Sequence, residues 1–265
     1  MTLVGAHVDP LDPIAGARAI GADVVQITLG DPQGWSAPTV AYPGGAEALR
    51  SALTAADLAV YVHAPYVINV ASPNNRIRVP GRRLLNQTVR LAAEIGARGV
   101  VVHGGHVTAG TPPQVGYDNW HKAVTALDQA CPVLIENTAG GKHAMARTPA
   151  ALADLWAAVG DSGVGFCFDT CHAWAGGMAM PEAATIVREI TGRIDLVHAN
   201  DSRGGFDSGV DRHAAFGTGT IESAALLDAI ILAESPAVIC ETPPTEVARD
   251  ITLIRNRLGQ GTRSR

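Results

Sequence analysis

Six residues able to bind a metal or move a proton each close a short apolar run: His63, His103, Glu136, Asp169, His198 and Glu241. Imidazole nitrogen and carboxylate oxygen in one set suit zinc, manganese or iron, whereas magnesium prefers mostly oxygen. Two further pairs thicken the set. His172 follows Asp169 by three residues and can reach a neighbouring ion, and Asp211 and His213, two apart in an extended segment, lie on one side and can grip a single ion. These nine donors suffice for about three ions if each is four- or five-coordinate with water and one carboxylate is shared. Three divalent ions set against Glu136, Asp169, Asp211 and Glu241 leave a net positive pocket. Phosphate is the natural anion for it, because paired metals about 3.5 to 4 Å apart can activate water and stabilise both entering and leaving oxygens of a phosphodiester.

The elements that must position these donors are legible from the same runs. Eight are found: Leu3 to His7, Asp23 to Gln26, Val60 to His63, Val100 to His103, Val133 to Glu136, Gly165 to Asp169, Leu196 to His198 and Ala237 to Glu241. Uniformly apolar runs of this length describe parallel strands covered on both faces. From His63 on, their last residues lie 29 to 43 positions apart, the length of a strand-helix unit. Ala-, Leu- and Arg-rich stretches between them predict helices, among them Ala46 to Ala56, Arg82 to Ile95, Pro149 to Val159, Ala183 to Ile190 and Ala224 to Ala233. Thr148 and Pro149 form a helix start, and Gly96 and Gly160 stand where helices stop.

Eight such units in one chain match an α/β fold of the TIM (β/α)8 barrel type, a single domain over 1–257 with a flexible tail over 258–265. A doubly wound sheet fits less well, since no G-x-G-x-x-G follows the first strand. A barrel gathers the strand ends into one ring, so Asp31 to Gly45, Gly104 to Gly116 and Ser202 to Gly219 become loops on the reactive face.

Composition narrows the function classes. The 265 residues are 47% hydrophobic and 17% charged, with a formal net charge of −5, which excludes disorder and excludes holding polyanions by bulk charge. Four irregularly spaced cysteines make no disulfide scaffold and read as reduced thiols. The first residues lack a signal peptide's basic and apolar regions, and no apolar run reaches a membrane span, so a cytoplasmic protein is expected.

HAPYVINVA (63–71), VVHGG (101–105), IENTAGG (135–141), GFCFDTCHAWAGG (165–177), VHANDS (197–202), DRHAAFGTG (211–219) and CETP (240–243) resemble the endonuclease IV family of DNA repair enzymes. The resemblance runs from about residue 5 to about residue 243. It implies a hydrolase of the deoxyribonuclease IV (phage-T4-induced) type. Such an enzyme works in base excision repair, cleaves the phosphodiester 5′ to an abasic site to leave a 3′-OH, and cleans blocked 3′ ends. It also implies about three zinc ions per chain: one on His63, His103 and Glu136, a second on Glu136, Asp169, His198 and Glu241, and a third on His172, Asp211 and His213. Glu136 would be the bridge and the key catalytic carboxylate. Double-stranded DNA is the implied partner, a monomer the implied state and the chromosome the implied location. Tyr66 and Val67 match the family's minor-groove wedge, Arg212 and Asn69 its polar DNA contacts. Gln33 stands where a basic intercalating residue is common. His103 is followed by Gly-Gly-His instead of Pro-Gly-Ser, Asp207 replaces a usual glycine and Arg203 a frequent lysine.

Glu136, Asp169, His198 and Glu241 alone would serve a single-metal sugar isomerase or epimerase of the same barrel type. The five surplus donors argue against it, and a metal carrier without turnover would instead fill its coordination shell. His7 is expected behind the ligands. His106, His121 and His143 read as solvent or loop histidines, Cys167 and Cys171 as packing groups, the four tryptophans as a mixture of core and loop, and Arg76, Arg78, Arg82 and Arg83 equally as a track for a DNA backbone or as an exposed helix start.

Overall fold

The computed structural model describes residues 2–261. Its elements run β1 (Leu3–His7), α1 (Pro13–Ile20), β2 (Val24–Thr28), α2 (Gly45–Ala55), β3 (Ala59–His63), α3 (Asn75–Glu94), β4 (Val100–His103), α4 (Pro113–Val124) and β5 (Val133–Glu136). They continue α5 (Pro149–Val159), β6 (Gly165–Asp169), α6 (Thr170–Ala175), α7 (Glu182–Thr191), β7 (Leu196–His198), β8 (Asp201–Ser202), β9 (His213–Ala214), α8 (Ser223–Ala233), β10 (Ala237–Cys240) and α9 (Val247–Gly261). Eight parallel strands close a barrel in the order β1-β2-β3-β4-β5-β6-β7-β10, and β10 pairs back to β1. This is the (β/α)8 barrel that the runs predict. β8 and β9 form a small antiparallel pair outside it.

Most boundaries fall where the apolar runs put them, and the exceptions have physical reasons. β2 extends to Thr28 because Ile27 and Thr28 still pair with β3, so Gln26 lies inside the strand instead of closing it. α3 starts at Asn75, seven residues before the expected start, capped by the Asn74 side chain on the Arg76 N–H. It tolerates Pro80 near its beginning, and the four arginines of the basic cluster ride on its first turns. Arg78 and Arg82 there donate to the carbonyls of Ser72 and Asn119. α4 begins at Pro113, shortening the expected loop. α5 stops at Val159 with Gly160 as its C-cap, as expected, and a 3-10 turn over Gly160–Ser162 follows, closed by Gly163, whose φ of +84° suits glycine. α9 runs through Gly261, so 258–261 are helical where a flexible tail is expected; 262–265 lie outside the described residues. Among the described residues no helix is long and apolar enough to cross a membrane. The four cysteines are unpaired and buried.

The period-2 geometry of a strand sorts its side chains into two apolar bodies. Outward residues such as Val60, Val62, Val100, Val102, Ile135, Phe166, Phe168 and Val197 pack under the helices in the main core. Inward residues Val24, Tyr61, Val101, Leu134, Cys167, Leu196, Ala237 and Ile239 form a separate cluster that plugs the barrel. Each strand-end donor stands two residues beyond a plug residue: His63 above Tyr61, His103 above Val101, Glu136 above Leu134, Asp169 above Cys167, His198 above Leu196, Glu241 above Ile239. The donors therefore form the next inward layer, resting on an apolar floor. Register makes neighbours of His103 and Glu136, and of Asp169 and His198.

Candidate metal centre

Glu136 is fully buried at the centre of the ring, and its two oxygens look in different directions. Oε2 lies 3.3 Å from Nε2 of both His63 and His103. Oε1 lies 3.0 Å from His198 Nδ1 and 3.2 Å from His172 Nδ1. His198 Nδ1 is also 3.4 Å from Glu241 Oε2 and 3.9 Å from Asp169 Oδ2. His172 Nε2 and His213 Nε2 lie 3.1 and 3.4 Å from Asp211 Oδ1. The donor atoms of His63, His103 and Glu136 all lie within 4.8 Å of one another, as do those of Glu136, Asp169 and His198, and those of His172, Asp211 and His213. All nine donors thus meet at one mouth. Most of them line a cavity of about 300 Å³, with Tyr66 at its rim.

The hydrogen bonds around the donors orient several of them. His63 donates from Nδ1 to the Ala64 carbonyl at 2.7 Å, His172 from Nδ1 to the Asn137 carbonyl at 3.0 Å, and His198 from Nε2 to Gln26 Oε1 at 2.8 Å. In each ring the other nitrogen faces the carboxylates of the cavity, so that once the ring is neutral its lone pair is aimed as a metal ligand needs. The buried Nε2 atoms of His172 and His213 stand beside the Asp211 carboxylate but make no hydrogen bond of good geometry with it or with any other described residue. Orphaned buried nitrogens beside carboxylates are costly unless a cation takes them, so the donor set fits metal ions.

Charges within the cluster balance one another. Burial pushes the Glu136 carboxyl up, but His198 and His103 outweigh it and hold it well below the usual carboxylate range. Burial works the same way on Glu241 and Asp211, and facing imidazoles, His198 for the first and His172 for the second, bring each down to about 2. Asp169 is the exception: its burial is only partly offset by His172 and His213, so its carboxyl rises. Burial disfavours charge on His63 and His172, yet the carboxylates beside them hold both above the ordinary histidine range.

Of the residues behind the donors, only His7 is assigned from sequence. Gln26, an amide inside an otherwise apolar strand, donates to Glu241 Oε1 at 2.6 Å and to His7 Nδ1 at 3.2 Å while holding His198. His7 is thus where it is expected, behind the ligands, and burial lowers it to about 4. Asn200 donates to Asp169 Oδ2 at 2.8 Å and accepts from the Glu241 N–H at 2.8 Å. Asn137 exchanges two bonds with the Asp169 backbone. Asp169 itself caps α6, accepting from the His172 N–H at 2.6 Å, which fixes the spacing of these two donors. Buried Asp201 accepts from the N–H groups of Ser202, Gly217, Gly219 and Ile221 and so folds the loop that delivers Asp211 and His213. A Cβ on Gly219 would come within 2.3 Å of Asp201 Oδ1 and 2.4 Å of the Ser202 carbonyl. Cys171 also comes within 4.8 Å of Asp169 and His213, a donor outside the expected set, but burial pushes its thiol up to about 12.

The residues expected to touch a large ligand separate into free and engaged groups. Tyr66 is 54% exposed at the mouth, whereas Val67 packs against the main core. Asn69 spends its amide on His106, accepting from its N–H at 3.1 Å and donating to its carbonyl at 3.0 Å, and so braces two loops. Gln33 and Arg212 are exposed. Asp207 takes φ of +55°, the conformation that explains a usual glycine there, and pairs with Arg147 at 2.7 Å.

Comparison with known proteins matches residues 14–257 to the family described as xylose isomerase-like TIM barrel. "Probable endonuclease 4" of Mycobacterium bovis (strain BCG / Pasteur 1173P2) is 52% identical over 257 residues, 97% of this chain and 99% of that protein. The crystal structure of endonuclease IV from Thermus thermophilus superposes with a TM-score of 0.84 at 28% identity, covering 97% of this chain and 99% of the other. A D-tagatose 3-epimerase-like protein superposes with a TM-score of 0.79 at 20% identity over 99% of each chain, a likeness of fold alone.

Proposed function

Because the chain belongs to the endonuclease IV family within the xylose isomerase-like TIM barrels, we propose that it is a metal-dependent nuclease of DNA base excision repair. In this reading it hydrolyses the phosphodiester 5′ to an abasic site, leaves a 3′-OH and also removes blocking groups from 3′ ends. The observation that carries the reading is Glu136, whose two buried carboxylate oxygens face two different groups of imidazoles. A single-metal isomerase needs no such bridge.

His63 and His103 with Glu136 would hold one ion, Glu136, Asp169, His198 and Glu241 a second, and His172, Asp211 and His213 a third, zinc being the expected metal. Bound divalent ions supply Lewis-acid activation of water and neutralise charge on a phosphoryl group in transfer. The chain's residues do the rest. Gln26 and Asn200 hold His198, Glu241 and Asp169 in place, so the donors need little rearrangement during the reaction. Tyr66 at the rim is placed to enter the gap left by a missing base, with Val67 backing it. Arg212 and Gln33 are free to meet the backbone, and Asn69 shapes the loop beneath them. The apolar floor seals the cavity from below, so a phosphate can enter only from the loop side. The protein would act as a monomer on chromosomal DNA in the cytoplasm.

The test is incubation of protein purified without chelator with a duplex bearing one tetrahydrofuran abasic analogue, while bound metal is counted by elemental analysis. Incision on the 5′ side with about three ions per chain is expected. One ion and no incision would move the assignment to the isomerase class.

A further inference from the structure

Among the described residues two fully buried carboxylates stand outside the donor ring, Asp201 and Asp250. Asp201 folds the loop that delivers Asp211 and His213. Asp250 lies in the first turn of α9, where an acidic residue ordinarily faces water and offsets the positive end of the helix dipole. Here it is turned away from solvent instead. A carboxylate in that position is costly, and an apolar side chain would fill the same space without the penalty, so its partners indicate what it is kept for.

Those partners come from two segments that each deliver a donor. Asp250 Oδ2 accepts from the Phe216 N–H at 3.4 Å, and the adjacent Arg249 donates to the Phe216 carbonyl. Consecutive residues of α9 thus grip both backbone groups of Phe216, which is joined to His213 by the buried Ala214 and Ala215. On its other side Asp250 meets Thr242, the residue after Glu241. Burial raises the Asp250 carboxyl, and the Thr242 hydroxyl, the Phe216 N–H and Arg249 offset part of that rise. Neither Asp250 Oδ1 nor the Thr242 hydroxyl makes a hydrogen bond of good geometry to another described residue, so each is available to the other.

The barrel's own ladder does not set how these two segments lie. β10 ends at Cys240, one residue before Glu241, and β9, which begins at His213, pairs with β8 outside the barrel. Yet the two side chains face each other at the mouth, His213 Nδ1 standing 3.7 Å from Glu241 Oε2. Behind them, Asp250 is where the segments are joined.

We propose that Asp250 is a positioning residue that fixes the segments carrying Glu241 and His213 against each other, and so sets the spacing between donors that belong to two different ions. The inference rests on the proposed reading of the site as a centre of about three metal ions, and adds what keeps its second and third donor groups in step. It assigns this task to an outer helix that contributes no donor.

The experiment loads wild type and variants with cobalt(II), whose visible absorption reports ligand geometry, counts the bound ions and titrates each protein with a chelator. Asp250→Leu should change the visible spectrum and weaken the hold on the ions of Glu241 and His213 about 10-fold, the low end for a partner behind the ligands. Asp250→Asn keeps an acceptor for the Phe216 N–H and should recover most of both. Arg249→Met, at a half-exposed side chain, should move affinity the same way by about 3-fold, the share of one hydrogen bond. An Asp250→Leu protein that melts lower but keeps the wild-type spectrum and affinity would overturn the positioning role and leave the metal reading standing. Should Asp250→Leu fail to fold, Arg249→Met decides, and wild-type spectrum and affinity there would overturn it. A wild type that holds a single cobalt ion would overturn both readings.

Discussion

Replacing Gln26 by methionine tests whether the hydrogen bonds behind the donors set metal affinity. The substitution keeps chain length and volume, so the barrel wall stays filled. It removes the acceptor for His198 Nε2 at 2.8 Å and the donor to Glu241 Oε1 at 2.6 Å. Each hydrogen bond to a charged group contributes about 1.5–3 kcal/mol. Part of that loss would be recovered by rotation of the imidazole, which itself misdirects Nδ1 away from Glu136. The expected net effect is a roughly 10–100-fold weaker hold on the ion shared by Glu136, Asp169, His198 and Glu241, the usual cost of removing an outer partner. Competition against a chromophoric chelator would measure it, with circular dichroism confirming that the barrel persists. Gln26→Glu is the companion variant: it restores the acceptor but sets a carboxylate against Glu241, so its deficit should grow with pH. Wild-type metal affinity in a folded Gln26→Met protein would refute the bracing argument.

Other outcomes follow from the same geometry. Glu136→Gln should abolish incision of an abasic duplex while leaving the circular dichroism spectrum unchanged; near-wild-type turnover would remove the bridge. Gly219→Ala forces a methyl into Asp201 and the Ser202 carbonyl, and elemental analysis should find the ion of Asp211 and His213 depleted while the others stay. The metal-free protein should lose thermal stability as pH rises above about 6.5, because raised histidines such as His172 contribute fully below that unfolded value and lose the contribution as pH rises through the higher folded value. Glu241, held down to about 2, contributes above its unfolded value near 4.5 and loses that contribution as pH falls toward 2. The metal-loaded protein should show the opposite trend near neutrality, since the imidazoles must shed protons to bind. Equal pH trends in scanning calorimetry of the two forms would contradict the charge balance.

Much of this molecule is readable in its sequence because strand ends and donors coincide. A uniformly apolar run ending in His or Glu announces both a buried parallel strand and the side chain that strand presents, and β3 through β7 end on the expected donor. Gln26 escaped that reading because β2 continues two residues past it, and no local signal separates a polar residue closing a strand from one facing inward within it. Asn137, Asn200 and Asp201 were missed for a related reason: they follow a donor in sequence, and their partners come from other strands or, for Asp201, from the distant loop over 217–221. The early start of α3 was hidden by Pro80, which ordinarily marks a helix boundary. Whether Tyr66, Val67 and Asn69 stand free or engaged depends on which loops touch, and only the folded chain decides it.

The two inward layers also act as a register check. Sliding any one of β3 to β7 by a single residue would turn its imidazole or carboxylate out beneath the helices and swing an aliphatic side chain into the mouth. An ionised group buried among Val, Leu and Phe without a partner is among the costliest errors a fold can contain. Each strand thus carries its own penalty for misalignment, spaced two residues from the hydrophobe that would otherwise tolerate the slip. The residues proposed to hold the metals thereby also proofread how the barrel is assembled.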